Sequence, residues 1–256
     1  MANRLPKQKG KENPNFKNRV GEKYITNEGY QIEIIEYFEV SNCTVRLEDG
    51  NVLKNKHFSS IVKGQIKNPY HKSVYGVGYL GQGNYGMKKD IKLYTIWKSL
   101  IQRCYCEKYQ EKYPSYKDVT ITEDWKCFQN FAKWAEDNYK ENCALDKDIL
   151  IKGNKLYSPE TCCFVPHEIN QLFVKSNSIR GKYPIGVFKS GNVFLAKVKK
   201  KGKIISLGRF NTPEDAFDCY KFYKEAYIKE MAEEYKDQID SRVYEAMYNY
   251  QVEITD

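Results

Sequence analysis

No stretch of this chain approaches the roughly 20 consecutive apolar residues that a membrane-spanning helix needs, so a soluble protein is expected. The opening Met1-Ala2-Asn3-Arg4-Leu5-Pro6 does not follow the pattern of a secretory signal, which argues for a cytoplasmic protein. Histidine is scarce: the chain has 3, at positions 57, 71 and 167. The 8 cysteines form no regular framework. Cys104-x-Cys106 and Cys162-Cys163 are closer than the familiar zinc pairs, which leave roughly two to four residues between thiols. No zinc is expected, and reduced thiols are. The glycine run Gly76, Gly78, Gly81, Gly83, Gly86 has neither a Gly-Lys-Ser/Thr ending nor a strand-to-helix context, which excludes a phosphate loop of the Walker type.

What the chain does have is positive charge and tyrosine. Lys and Arg number 42 against 33 Asp and Glu, a net charge of +9, so nucleic acid is the first partner to consider. The 22 tyrosines serve as core filler with a polar tip or as stacking surfaces.

The clearest local pattern is Tyr183 to Tyr235. Tyr183-Pro184-Ile185-Gly186-Val187-Phe188-Lys189 turns at Ser190-Gly191-Asn192 into Val193 to Lys200, and a second turn at Lys201-Gly202-Lys203 leads to Ile204 to Phe210. Glycine at both reversals predicts three short antiparallel strands. Thr212-Pro213-Glu214-Asp215 then joins a capping hydroxyl, a proline at the first helical position and two acids, which predicts a helix start. Its apolar stripe is expected to be Ala216, Tyr220, Tyr223, Tyr227, Met231 and Tyr235. Alternation puts Lys197 and Lys199 on one face of the sheet and Ala196 and Val198 against the helix. Lys189, Lys201, Lys203 and Arg209 are expected to add to the exposed side. A sheet with cations in front can enter a major groove, whereas a plain solvated edge would use them only against aggregation.

Residues 1–20 read as a basic flexible arm, and 21–70 as a small β-barrel-like module whose hairpin turns at Glu48-Asp49-Gly50-Asn51. Residues 71–90 read as a Gly/Tyr-rich linker. From Ile91 the period is helical, with Tyr94, Trp97, Ile101 and Cys104 as the seam. A second helix is expected after Thr122-Glu123-Asp124, running to about Tyr139, with Phe128, Phe131, Ala132, Ala135 and Tyr139 inward. Leu145 to Leu150, a Gly153-Asn154 turn, Leu156 to Glu160, the strand Thr161 to Pro166 and a helix from His167 give the order strand, loop, strand, helix. Residues 237–256 read as a C-terminal helix and acidic tail, the helix packing back or pairing with a second copy.

Gly186-Val187, Phe194-x-Ala196-x-Val198, Leu207-Gly208-x-Phe210-x-Thr212-x-Glu214-x-Ala216 and Tyr220 resemble the Apetala/ethylene-response-factor DNA-binding domain, over 183–236. That resemblance implies a DNA-reading sheet with Lys189, Lys197, Lys199, Lys203 and Arg209 as DNA contacts, lysine standing where the family usually has arginine and tryptophan. Tyr94-x-x-Trp97, Arg103-Cys104-Tyr105, Leu145-Asp146, Gly153-Asn154, Tyr157-Ser158-Pro159-Glu160 and Cys163-x-Val165 resemble HNH-type homing endonuclease-like proteins of bacteriophages, over 91–176.

The second resemblance implies a ββα-metal centre: Asp146, Asp148, His167 and Asn170 around Mg²⁺ or Mn²⁺, and Asp148, Asn154 and His167 as catalytic residues. Where the family places its base histidine stands Lys147, protonated at neutral pH. Either Asp148 acts through a water, or the scaffold keeps its shape without the chemistry.

The expected fold is thus α+β and multidomain: the small β-barrel-like module, an HNH-like centre with flanking helices, and a three-stranded antiparallel sheet plus helix. The expected function is a phage-type endonuclease acting on double-stranded DNA in the cytoplasm of an infected bacterial host. The rivals are a DNA-binding regulator that does not cleave and a phage-encoded inhibitor of a host defence protein.

Overall fold

A computed structural model describes residues 17–174 and 182–254. Most of the basic arm, residues 175–176 and the last two residues of the tail lie outside them. The described residues form a mixed α+β structure with seven α-helices and several small sheets. No described helix is long and apolar enough to cross a membrane. Two compact units divide the chain, Met1–His71 and Lys72–Asp256.

In the first unit, β1 (Lys23–Ile25), β2 (Gln31–Glu39), β3 (Asn42–Leu47) and β4 (Val52–Lys56) form an antiparallel meander in chain order. No pairing joins β1 to β4 among the described residues, so the sheet is open rather than closed into a barrel. The reversal falls at Asp49-Gly50 as expected, with Gly50 at φ +87° and Asp49 Oδ1 accepting the Asn51 N–H at 3.0 Å. Cross-strand partners share a face, so Ile32 opposite Leu47 and Ile34 opposite Val45 build one apolar side. Ile61 of the short helix α1 (Phe58–Val62) closes over that side. Arg19, read as part of the flexible arm, instead lies 4.1 Å from the Phe58 ring and ion-pairs with Glu22 at 3.2 Å.

The second unit begins with residues 72–90, which are tied down rather than free as a linker. Tyr79 bridges to Cys127: its N–H donates to Lys126 O at 3.0 Å, and its C=O accepts the Phe128 N–H at 2.9 Å. Gln129 Nε2 adds bonds to Leu80 O at 3.2 Å and Tyr85 O at 2.9 Å. This pairing also moves the second helix. Cys127 is held extended, so Glu123–Lys126 form only a 3₁₀ turn, and the helix proper begins at Phe128. Helices α2 (Ile91–Tyr105) and α4 (Phe128–Asn138) pack their seams together around Trp97, Ile101, Phe128 and Phe131. Trp97 Nε1 donates to Trp125 O at 2.7 Å, which satisfies the buried indole. A short helix α3 (Glu107–Lys112) follows α2.

Strand β5 (Thr120–Ile121) pairs in parallel with β7 (Leu156–Tyr157), while β6 (Cys143–Asp146) pairs antiparallel with β8 (Cys163–Pro166), and helix α5 (His167–Leu172) follows β8. The three-stranded sheet is β11 (Lys203–Phe210), β10 (Val193–Lys200) and β9 (Val187–Ser190) in that spatial order. Gly191 at φ +61° opens one turn, and Lys201 and Gly202 at +47° and +80° make the other, the left-handed pair that a two-residue hairpin prefers. Gly186 is required at the start of the sheet: at φ +78° a Cβ there would sit 2.1 Å from the Tyr220 ring.

Helix α6 (Pro213–Glu234) starts where expected, with Thr212 Oγ1 accepting the Asp215 N–H at 3.2 Å and Pro213 in the first turn. Its buried stripe includes Phe217, Ile228 and Ala232, but Tyr223 is 49% exposed. One helix serves two cores. Ala216, Phe217 and Tyr220 pack on Val187, Ala196 and Val198 of the sheet. Tyr227, Ile228, Met231 and Ala232 pack on Val165 and Ile169, together with α7 (Ser241–Tyr248), which turns back on α6. The sheet and the β6/β8/α5 region are therefore joined through a shared helix of 22 residues.

Candidate functional site

Two features gather charge in the second unit. The first is the outer face of the three-stranded sheet. Leu195 lies opposite Phe188 on one side and Arg209 on the other, Lys197 opposite Ser206, and Lys199 opposite Ile204. Since Ala196 and Val198 face α6, these residues face away from it. An extra residue, Leu207, interrupts the register between Ser206 and Gly208, and this bulge brings Arg209 onto the same face as Lys197.

The Lys197 ammonium lies 5.3 Å from the centre of the Phe188 ring. Phe188 is 49% exposed and Ile204 74% exposed, so the face mixes open apolar surface with cations. None of Lys197, Lys199 and Arg209 forms an ion pair among the described residues.

The sheet corrects three expectations, for Lys189, Lys203 and Lys201. Lys189 stands opposite Phe194 and Lys203 opposite Lys200, positions on the helix side of the sheet. They do not join the Lys197 face. Lys201 also belongs to the helix side, where it ion-pairs with Glu234 at 3.0 Å, and Lys200 pairs with Glu230 at 2.5 Å. The strand parity set by the two tight turns and the bulge sorts the lysines, and counting charges along the chain does not reveal it.

The second feature is a cavity of about 1100 Å³ between α2, the β6–β7 loop and α5. Asp146, Asp148, Asn154, His167 and Asn170 all line it, so all five residues of the implied centre reach one cavity. Three of them, Asp146, Asp148 and Asn154, already spend side-chain oxygens or the amide on neighbours in the loop. Asp146 Oδ1 accepts the N–H groups of Asp148 at 2.7 Å and Ile149 at 2.8 Å, the arrangement of a turn carboxylate. Burial pushes the Asp146 carboxyl above its ordinary range, against the pull of these two bonds.

Asp148 takes the Lys147 ammonium on both oxygens, at 2.8 and 2.7 Å, and the same ammonium donates to Asn154 O at 2.6 Å. Asn154 Nδ2 donates to Lys147 O at 3.0 Å and Leu156 O at 2.6 Å, while its Oδ1 accepts the Leu156 N–H at 3.1 Å. Among the described residues no group of three or more His, Cys, Asp or Glu side chains is arranged to hold a metal ion. The donor set therefore does not fit Mg²⁺ or Mn²⁺ as it stands, because the oxygens of Asp148 already surround a cation.

Arg103, part of the Arg103-Cys104-Tyr105 resemblance but given no site role by it, lines this cavity beside Tyr157. Its Nε is buried without a hydrogen-bond partner, and its guanidinium lies 5.8 Å from the Tyr116 ring centre. An arginine one step from an apolar seam was the signal for it. All eight cysteines are unpaired thiols, and burial raises those of Cys104 and Cys162 to about 12, which makes them inert.

Comparisons with protein-family models, with curated proteins and with solved structures find no match to this chain.

Proposed function

We propose that this protein binds double-stranded DNA through the outer face of the β9–β11 sheet and holds it without metal-dependent cleavage. The observation that carries this reading is the set Lys197, Lys199 and Arg209, presented on one open face beside Phe188 with no acidic partner among the described residues. Alternate positions on a strand are about 6.7 Å apart, so the ammonium groups form a short row. Such a row contacts phosphates as point charges, and a two- or three-stranded ribbon fits the width of a major groove. Arg209 is the one group on this face with the planar fork that pairs with guanine. Broad affinity with modest base preference follows.

A second reading, metal-dependent phosphodiester hydrolysis of the homing-endonuclease kind, draws support from the convergence of Asp146, Asp148, His167 and Asn170 on one cavity. Against it stands the ammonium of Lys147 between the oxygens that would hold the ion. Supercoiled plasmid separates the two. Retarded but intact plasmid after incubation with Mg²⁺ or Mn²⁺ is the expected result. Nicking that Asp146→Ala abolishes would establish the hydrolytic reading instead.

A further inference from the structure

We infer that the β6–β7 loop is a cation site filled by the chain itself: the Lys147 ammonium occupies the position of a divalent ion, excludes Mg²⁺ and Mn²⁺ from the native protein, and leaves a site for them once that side chain is shortened. Three oxygens, two from the Asp148 carboxylate and one from the Asn154 carbonyl, converge on one nitrogen at 2.6 to 2.8 Å. Lys147 is only 7% exposed, which is rare for a lysine outside a tightly paired site.

A second layer of bonds fixes the two backbone segments that carry these oxygens. The Asn154 side chain spans Lys147 O and both the N–H and C=O of Leu156, which fixes its own carbonyl. Asp146 Oδ1 holds the Asp148 and Ile149 N–H groups, which fixes the turn that carries the Asp148 carboxylate. Hard oxygens held from behind in this way are the donor set of a Ca²⁺-, Mg²⁺- or Mn²⁺-type ion. With the ammonium in place an arriving divalent ion meets a buried like charge, and displacing that charge would strand it away from water.

Removing the ammonium leaves the three oxygens aimed at a vacated volume, with Asp146 on the same cavity wall. The inference is independent of DNA binding, because its test contains no DNA.

The test titrates Mn²⁺ into the full chain and into Lys147→Ala and Lys147→Gln, reading free Mn²⁺ by electron paramagnetic resonance and following each with thermal melts. The native chain is expected to show no tight Mn²⁺ site. Each variant is expected to bind at least about tenfold more tightly and to melt several degrees higher with Mn²⁺ than without, because a ligand of the folded state stabilises it. Adding Asp148→Asn to either variant should remove the gain.

A tight Mn²⁺ site in the native chain that Asp148→Asn abolishes would overturn the inference. So would folded variants that bind Mn²⁺ no better than the native chain. Should neither variant fold without metal, refolding on addition of Mn²⁺ counts for the inference and continued failure counts against it.

Discussion

Lys147 and Lys197 are both lysines in or beside β-structure of the same unit, and they live in opposite surroundings. Lys147 is buried, with its charge spent on Asp148 and the Asn154 carbonyl. Lys197 stands on an open sheet face with an aromatic ring beneath it and no acid in contact among the described residues. A cation already surrounded by oxygens has nothing left to offer a ligand, whereas one facing water over an apolar surface has its full charge available. On the proposed reading, the β6–β7 loop then has a structural part and the β9–β11 sheet is the surface that meets DNA.

The largest expected effect reverses the open cations. Lys197→Glu with Lys199→Glu should weaken duplex binding on the order of 100-fold near 0.1 M salt, because two phosphate contacts become repulsions. Circular dichroism should show an unchanged fold. Next comes the buried cation. Lys147→Ala should lower stability by about 2 kcal/mol in metal-free buffer, the scale of a lost charged hydrogen-bond set, seen as a melting temperature about 6 °C lower. Its duplex affinity should stay within about twofold of the native chain, and a large loss there would erase the contrast between the two regions.

A third lysine sharpens the comparison. Lys224 lies in α6, partly buried and without a hydrogen bond or ion pair among the described residues, and desolvation lowers its pKa to about 8. Between about 8 and the ordinary 10.5 the unfolded chain binds more protons at this position than the folded one, so this group makes stability rise with pH across that window. Below it the cost of burial is fully present. Lys224→Met should therefore stabilise the protein by about 1 kcal/mol at pH 7, and the gain should shrink toward zero above the upper limit of the window, as denaturant titrations at several pH values would show. A gain that does not change with pH would mean that Lys224 keeps its ordinary pKa.

The smallest effect belongs to Lys189 and Lys203. Each lies on the helix side of the sheet, so either alanine variant should change duplex affinity less than about threefold in a fluorescence anisotropy titration. Larger losses would place the DNA on the other side.

Much of the fold was legible where a residue type has a single local use. Gly191 and Gly202 at the hairpin turns, Thr212-Pro213 at the start of α6 and the Trp97–Ile101 seam of α2 each needed no knowledge of distant contacts. What stayed hidden depends on tertiary pairing. The Tyr79–Cys127 bridge holds Cys127 extended and delays α4, and nothing near Thr122 announces it. The sharing of α6 between two cores reads in sequence only as one long helix.

For the candidate site, alternation found Lys197 and Lys199. The β11 bulge and the turn parity decided Arg209, Lys189 and Lys203, and these are invisible without register. Lys147 drew notice as a residue out of place, but its role as the occupant of the loop needed the positions of Asp148 and Asn154.

The most direct measurement is duplex affinity against salt concentration for the native chain and for Lys197→Ala with Lys199→Ala. Released counterions make log affinity fall linearly with log salt, and each lost phosphate contact removes about one unit of that slope. A slope shallower by about two in the double variant is the predicted result. Equal slopes would contradict the assignment of the β9–β11 face as the surface that holds DNA.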